Sequence, residues 1–215
     1  MTGGTPSPAA LQVADILDLR AYERVREDYR RRVMARKRLR RVGAGPIMTL
    51  LFECVDTVRF QVQEMARVER IATDEGLQAE LDVYNRLLPQ AGELSATLFI
   101  ELTDEEQLRR WLPDLVGIER AVAIELPAPP DRGRPVVTSE PESSHAEALT
   151  RDAVTPAVHY LRFRFSAEEV DRFADGPVAL VVDHPAYQAR TELTEPTRQE
   201  LLADLQGRTV PLAFA

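Results

Sequence analysis

The chain has 215 residues, a formal net charge of −8 and a single cysteine; 44% of its residues are hydrophobic and 29% charged. A chain of this size and composition buries a core without disulfide or metal staples, which excludes a disordered or disulfide-scaffolded class. Residues 1–8 lack the basic and apolar regions of a secretory signal, and no apolar run reaches the roughly 18 residues of a membrane span, so a cytoplasmic protein with no membrane contact is expected.

Taken in chain order, residues 1–15 are small, polar and Pro-bearing, as in a flexible tail, and 16–210 read as one α+β domain. A helix is predicted behind an Asp18 cap, with Leu19, Tyr22, Val25, Tyr29 and Val33 as its apolar stripe. Near Lys37 the period changes. A strand over 39–44, a turn at Gly45-Pro46 and a strand over 47–54 follow. The glycines at 43 and 45 lack a third partner and join two strands, so they do not form a dinucleotide-binding fingerprint.

Asp56 caps a predicted helix over 57–74, Gly76 ends it, and a shorter helix runs over 77–88. A strand over 94–102, a Trp111 helix behind Thr103 or Asp104, and a strand over 118–126 come next. Residues 127–156 hold six of the 15 prolines and read as an exposed excursion carrying His145, with one short strand over 135–139. The chain closes with a strand over 157–165, helix over 166–174, strand over 178–183 and helix over 196–205. Crossover helices do not separate the strands regularly. The prediction is therefore α+β, with a largely antiparallel sheet of six or seven strands and helices packed on it.

The average charge hides an asymmetry. Arg30, Arg31, Arg32, Arg36, Lys37, Arg38, Arg40 and Arg41 fall in one stretch without an acid, leaving a balance of −16 over the rest. Eight cations suit phosphates. However, the stretch straddles a predicted helix and strand, carries no stacking aromatics and sits in an acidic chain, so no nucleic-acid partner is expected. The better-motivated reading turns Arg40 inward to meet Glu53, Glu101 or a bound anion, with Arg30–Arg32 outside.

On the 57–74 helix, Gln61, Glu64 and Arg67 share a face, with Gln63 beside them; a carboxylate held this way can act as a positioned base. An ordinary solvated helix face gives the same spacing. Strand alternation places Glu53, Glu101, Arg162 and Arg40 for cross-strand pairs around a polar cavity, or on a sheet face partly covered by Phe99 and Tyr160. His159 falls on the apolar side of its strand, as a core histidine does. His184 lies just past a strand, between Asp183 and Pro185 and near Tyr187, a placement suited to a general base or to a loop stiffened by hydrogen bonds. No Cys pair or His-Glu-x-x-His occurs, so a metal would need Glu64, Glu69, His159 and His184 to converge from afar. Cys54 ends an apolar strand and reads as core.

Several stretches form a set: Arg40-Arg41-Val42, Leu50-Leu51-Phe52-Glu53, Gln61-Val62-Gln63-Glu64-Met65 with Arg67, Glu69 and Arg70, and Glu80-Leu81 with Tyr84-Asn85 and Leu88-Pro89. Ala96-Thr97-Leu98 with Glu101, His159-Tyr160-Leu161-Arg162-Phe163, and Asp183-His184-Pro185 with Tyr187 complete it. In this order they resemble an uncharacterised bacterial family designated domain of unknown function 3501. The resemblance covers about 16–187 and assigns no reaction. It implies a redox or peroxide-stress setting and a rubrerythrin-like or iron–sulfur protein as partner.

Three functions are expected on these grounds. The first is an accessory, ligand-binding protein of a redox system. Arg40, Arg67 and Arg162 would fix a small anionic ligand, Gln61, Gln63, Tyr84, Asn85, His159 and Tyr187 would surround it, and Glu64 and His184 would move protons. The cofactor is left unspecified. The second is an enzyme with Glu64 or His184 as general base, with or without a non-haem metal. The third is a scaffold that docks an iron–sulfur partner through the basic stretch.

Overall fold

The computed structural model describes residues 10–128, 133, 135–142 and 154–214. Helix α1 (Leu19–Arg40) opens on the expected cap: the Asp18 carboxylate accepts the backbone N–H groups of Arg20 and Ala21, both at 2.9 Å. Tyr22, Tyr29 and Val33 are buried, and so is Arg40 in the last turn. The helix passes through Lys37 to Arg40, leaving only three residues to strand β1 (Arg41–Gly43). Arginine, lysine and leucine are good helix formers, and cations complement the C-terminal dipole, so the expected early end is corrected. Most of the basic stretch thus lies on one helix, and its side chains fan around that helix.

Strand β2 (Met48–Glu53) leads into α2 (Val55–Glu69), which starts behind Cys54 rather than Asp56. It stops at Arg70, a left-handed residue with φ 57°, well short of Gly76. Gly76 lies inside α3 (Asp74–Tyr84), where its N–H donates to the capping Thr73 hydroxyl at 3.2 Å. Strand β3 (Glu93–Ile100), helix α4 (Glu105–Asp114) and strands β4 (Val122–Glu125), β5 (Val136–Thr138) and β6 (Glu140–Pro141) follow. The chain then forms β7 (Val158–Arg164), α5 (Ala167–Asp175), β8 (Ala179–His184), β9 (Tyr187–Glu192) and α6 (Glu195–Leu205). Strand β9 is absent from the sequence reading. His145 lies outside the described residues.

The α+β class holds, but the strands form two antiparallel sheets rather than one. Their orders are β1-β2-β3-β7-β6 and β5-β4-β8-β9. Leu50, Phe52, Leu98 and Phe163 of the first sheet share a core with Val122, Ile124, Leu180 and Val182 of the second, closed by Phe173 of α5 and Leu201 of α6. A hydroxyl joins the sheets: Tyr187 donates to the Ala44 carbonyl at 2.5 Å.

The other face of the five-stranded sheet is covered by α2 and α3, through Val58, Val62 and Leu81, and by Leu88 just beyond α3. Leu11 and Ile16 join that cluster, so the segment from residue 10 onward, expected to belong to a tail, is docked. Burying two large apolar side chains there offsets the ordering of a short segment. No helix among the described residues is long and apolar enough to cross a membrane.

Candidate functional site

The helix-covered face of the sheet carries the chemistry. Leu51 and Glu53 of β2 lie opposite Thr97 and Ser95 of β3, which lie opposite Tyr160 and Arg162 of β7. Period-two alternation therefore aims Glu53, Thr97 and Tyr160 at α2 and α3. Between helices and sheet remains a cavity of about 280 Å³, lined by Lys37, Glu53, Gln61, Tyr84, Phe99 and Tyr160 among others.

Glu53 is buried in its wall. One carboxylate oxygen accepts the Thr97 hydroxyl and the other the Thr57 hydroxyl, each at 2.5 Å. Two hydroxyls orient the group, and among the described residues Glu53 has no ion pair. Lys37 reaches the same cavity from α1 and passes its ammonium over the Phe60 ring, 5.3 Å from the centroid. It too has no ion pair among the described residues. Burial pushes the Lys37 ammonium below the usual lysine range; Glu53 opposes this and Arg41 adds to it. Burial also pushes the Tyr160 hydroxyl up, with Tyr84 and Glu53 adding. Neither the Gln61 amide nor the Tyr84 hydroxyl has a hydrogen-bond partner among the described residues. The arrangement offers an amine, a carboxylate and two polar tips inside aromatic walls.

Of the candidates from sequence, Glu53, Gln61 and Tyr84 meet here, with Phe99 and Tyr160 in the wall; the others do not. Arg40 is fully buried beneath β2, donating to the Phe52 carbonyl at 2.8 Å and the Glu53 carbonyl at 3.0 Å. Its charge is met by Asp204 and by Glu200 of α6, not by Glu53 or Glu101 side chains. Glu101 instead pairs with exposed Arg41 and accepts the Thr49 hydroxyl. Arg162 binds Glu93 at 2.6 Å and the Arg86 carbonyl at 2.6 Å.

Glu64 sits between α1 and α2, accepting from Nε and Nη2 of Arg26 at 2.8 Å and from the Tyr22 hydroxyl at 2.6 Å. The Arg26 hydrogen bonds hold its carboxyl below the usual range. Arg67 pairs with Glu23. Gln63 clamps both backbone groups of Leu17, and Asn85 both of Leu11, all at 2.9 Å. His159 meets the Thr155 hydroxyl at 3.0 Å, and burial lowers its pKa. His184 is pinned between the Val116 carbonyl and the Ala186 N–H. Tyr187 is the bridge between sheets. Glu64, His159 and His184 thus belong to three separate networks, and no group of three or more His, Cys, Asp or Glu suited to a metal occurs among the described residues.

Sequence reasoning named Glu53 for an ion pair and missed Lys37 as a cavity residue. One signal was present: of 27 basic residues, 26 are arginine, and Lys37 is the single lysine. A larger cavity, about 480 Å³, lies between α2, the end of α6 and the C-terminal segment. Its charged groups are engaged: Arg59 with Tyr29, Asp56 and the Leu212 carbonyl, and Asp204 with Arg40 and Thr209.

No curated protein matches the chain. A crystal structure of a novel protein of unknown function from Burkholderia pseudomallei K96243 is similar along its full length, with 35% sequence identity, a TM-score of 0.81 and 92% of this chain covered. Residues 10–205, which include every strand and helix among the described residues and the Glu53–Lys37 cavity, match the model of a family described as protein of unknown function, DUF3501, and the chain belongs to that family.

Proposed function

We propose that this chain binds a small polar organic molecule in the cavity between α2 and the five-stranded sheet. The observation that carries the reading is that one lysine and one glutamate, neither in an ion pair among the described residues, line one aromatic-walled space. A ligand with an apolar body, an acceptor for Lys37 and a donor for Glu53 satisfies both groups at once. Unpaired buried charge is costly, so filling the cavity stabilises the fold.

Small molecules released from natively purified protein, identified by mass spectrometry, test this. Wild type should carry a bound compound, and Gln61→Trp, which fills the cavity from α2, should lose it while still unfolding in one cooperative transition. The reading fails if wild type releases none and its cavity resonances stay unmoved by small carboxylates and carbonyl compounds.

The redox partner implied by the family resemblance remains part of the proposal. Arg24, Arg30 and Arg38 are exposed on α1 and form no ion pair among the described residues, which suits an acidic docking partner. Arg31 and Arg32 are less suited, because both bind Asp28. Salt-sensitive co-purification of an iron–sulfur or rubrerythrin-like protein, lost on changing the three free arginines to glutamine, is the expected result.

A further inference from the structure

We propose that the ligand of the Glu53–Lys37 cavity is a small aldehyde or ketone, held reversibly as an imine on Lys37. This rests on the ligand-binding reading above and names the chemistry of that site.

The argument starts from residue choice. The chain carries 26 arginines and one lysine, at position 37. A guanidinium stays protonated in proteins and is no nucleophile, whereas an ammonium gives up its proton when desolvated. The location agrees. Lys37 opens into a cavity walled by Phe99, Tyr84 and Tyr160, and has no carboxylate within ion-pair distance among the described residues to keep it charged. Glu53 lines the same cavity, held at both oxygens by threonine hydroxyls, so its carboxylate is oriented rather than swinging.

The reaction balances without a further reagent. The neutral nitrogen attacks the carbonyl carbon; the C–N bond forms and the C=O π pair moves to oxygen. One proton passes from nitrogen to that oxygen, relayed to and from Glu53 through a single water because the carboxylate lies beyond ion-pair distance of Lys37, giving the carbinolamine. The nitrogen lone pair then forms C=N as the C–O bond breaks, and a second proton passes by the same relay from nitrogen to the departing hydroxyl. Water leaves, the carboxylate is regenerated, and nothing is oxidised or reduced. Aromatic walls limit water and so favour the imine over hydrolysis.

The test uses the full chain with benzaldehyde and cyanoborohydride at neutral pH, read by intact and peptide mass spectrometry. The reductant only traps the imine. The only other amine of the sequence is at its N-terminus, so adducts are assigned directly. The expected result is one benzyl adduct on Lys37, formed at a rate that saturates with benzaldehyde and exceeds that of the urea-unfolded chain at least about tenfold. Glu53→Gln should slow it at least about tenfold.

Lys37→Arg should abolish the adduct, but the folded-to-unfolded comparison in wild type stands without it. Benzyl alcohol and benzoate serve as non-reacting controls. If either binds the cavity by NMR while Lys37 reacts no faster than in the unfolded chain, the imine proposal is overturned and the ligand-binding reading stands. If none of the three compounds binds and no preferential adduct forms, both fail.

Discussion

The hydroxyl of Tyr187 fills the space that a side chain at Gly45 would need: a Cβ there would lie 2.3 Å from it. Gly45 also has φ +75°, in the left-handed region where glycine alone is unstrained. The turn between β1 and β2 and the hairpin of the second sheet are therefore fitted to each other at one atom. Gly45→Ala should cost more than the ~1 kcal/mol expected from backbone strain alone. In a Tyr187→Phe background the cost should shrink toward that value. Urea unfolding of the four proteins in the cycle measures it, and equal costs in both backgrounds would reject the contact as the cause.

Arg40→Met should destabilise by about 3–5 kcal/mol, because it leaves Asp204 buried without its cation. Arg40→Lys should recover little. One ammonium cannot serve the Phe52 and Glu53 carbonyls and two carboxylates on α6 at once. Adding Asp204→Leu to Arg40→Met should restore part of the loss, again read from urea midpoints.

Glu64 gives an acid-side dependence. Its carboxyl titrates below the usual range because Arg26 binds it, with Tyr22 adding and burial opposing. Stability from this group is complete above the unfolded value of about 4.3 and is lost as pH falls through the lower folded value. Glu64→Gln should cost about 1–2 kcal/mol at pH 7, discounted for the pair's partial exposure, and progressively less below pH 4. A cost that stays constant down to pH 3 would contradict this.

His159 acts in a higher window. Burial depresses its pKa, and Glu119 at 4.0 Å opposes. The unfolded chain then binds more protons below about pH 6.5, so stability is full above that value and falls as pH drops through the window beneath it. Denaturation of wild type between pH 7 and 5.5 should show a steeper loss than that of His159→Gln. Parallel slopes would show that the imidazole does not contribute.

Local features were legible because their causes are local. The cap at Asp18 holds the helix expected from it, and of the two caps expected at 103 and 104 it is Asp104 that holds the Trp111 helix. Alternation put Glu53, Thr97 and Tyr160 on faces that the pairing bears out, since the two-residue period is fixed by strand geometry. Strand β9 escaped notice: its exposed positions are polar and its turn with β8 is Pro185-Ala186, without the usual glycine or asparagine. Charge partners were not legible at all. Arg40 finds Asp204 and Arg162 finds Glu93 at sequence separations of 164 and 69. Gln63 and Asn85 resembled ligand contacts, yet each amide grips the backbone of a leucine whose side chain gives no polar hint.

The ion pair beneath β2 has a consequence for the order of synthesis. The guanidinium of Arg40 is made 164 residues before the carboxylate that Asp204 brings to it. A nascent chain carries that cation without its buried partner until α6 has left the ribosome, even though β2 and β3 can already pair. The last turn of α1 therefore waits for the end of the chain, whereas its first turns can settle on α2 much earlier through Tyr22, Tyr29 and Phe60 and the Arg26–Glu64 pair.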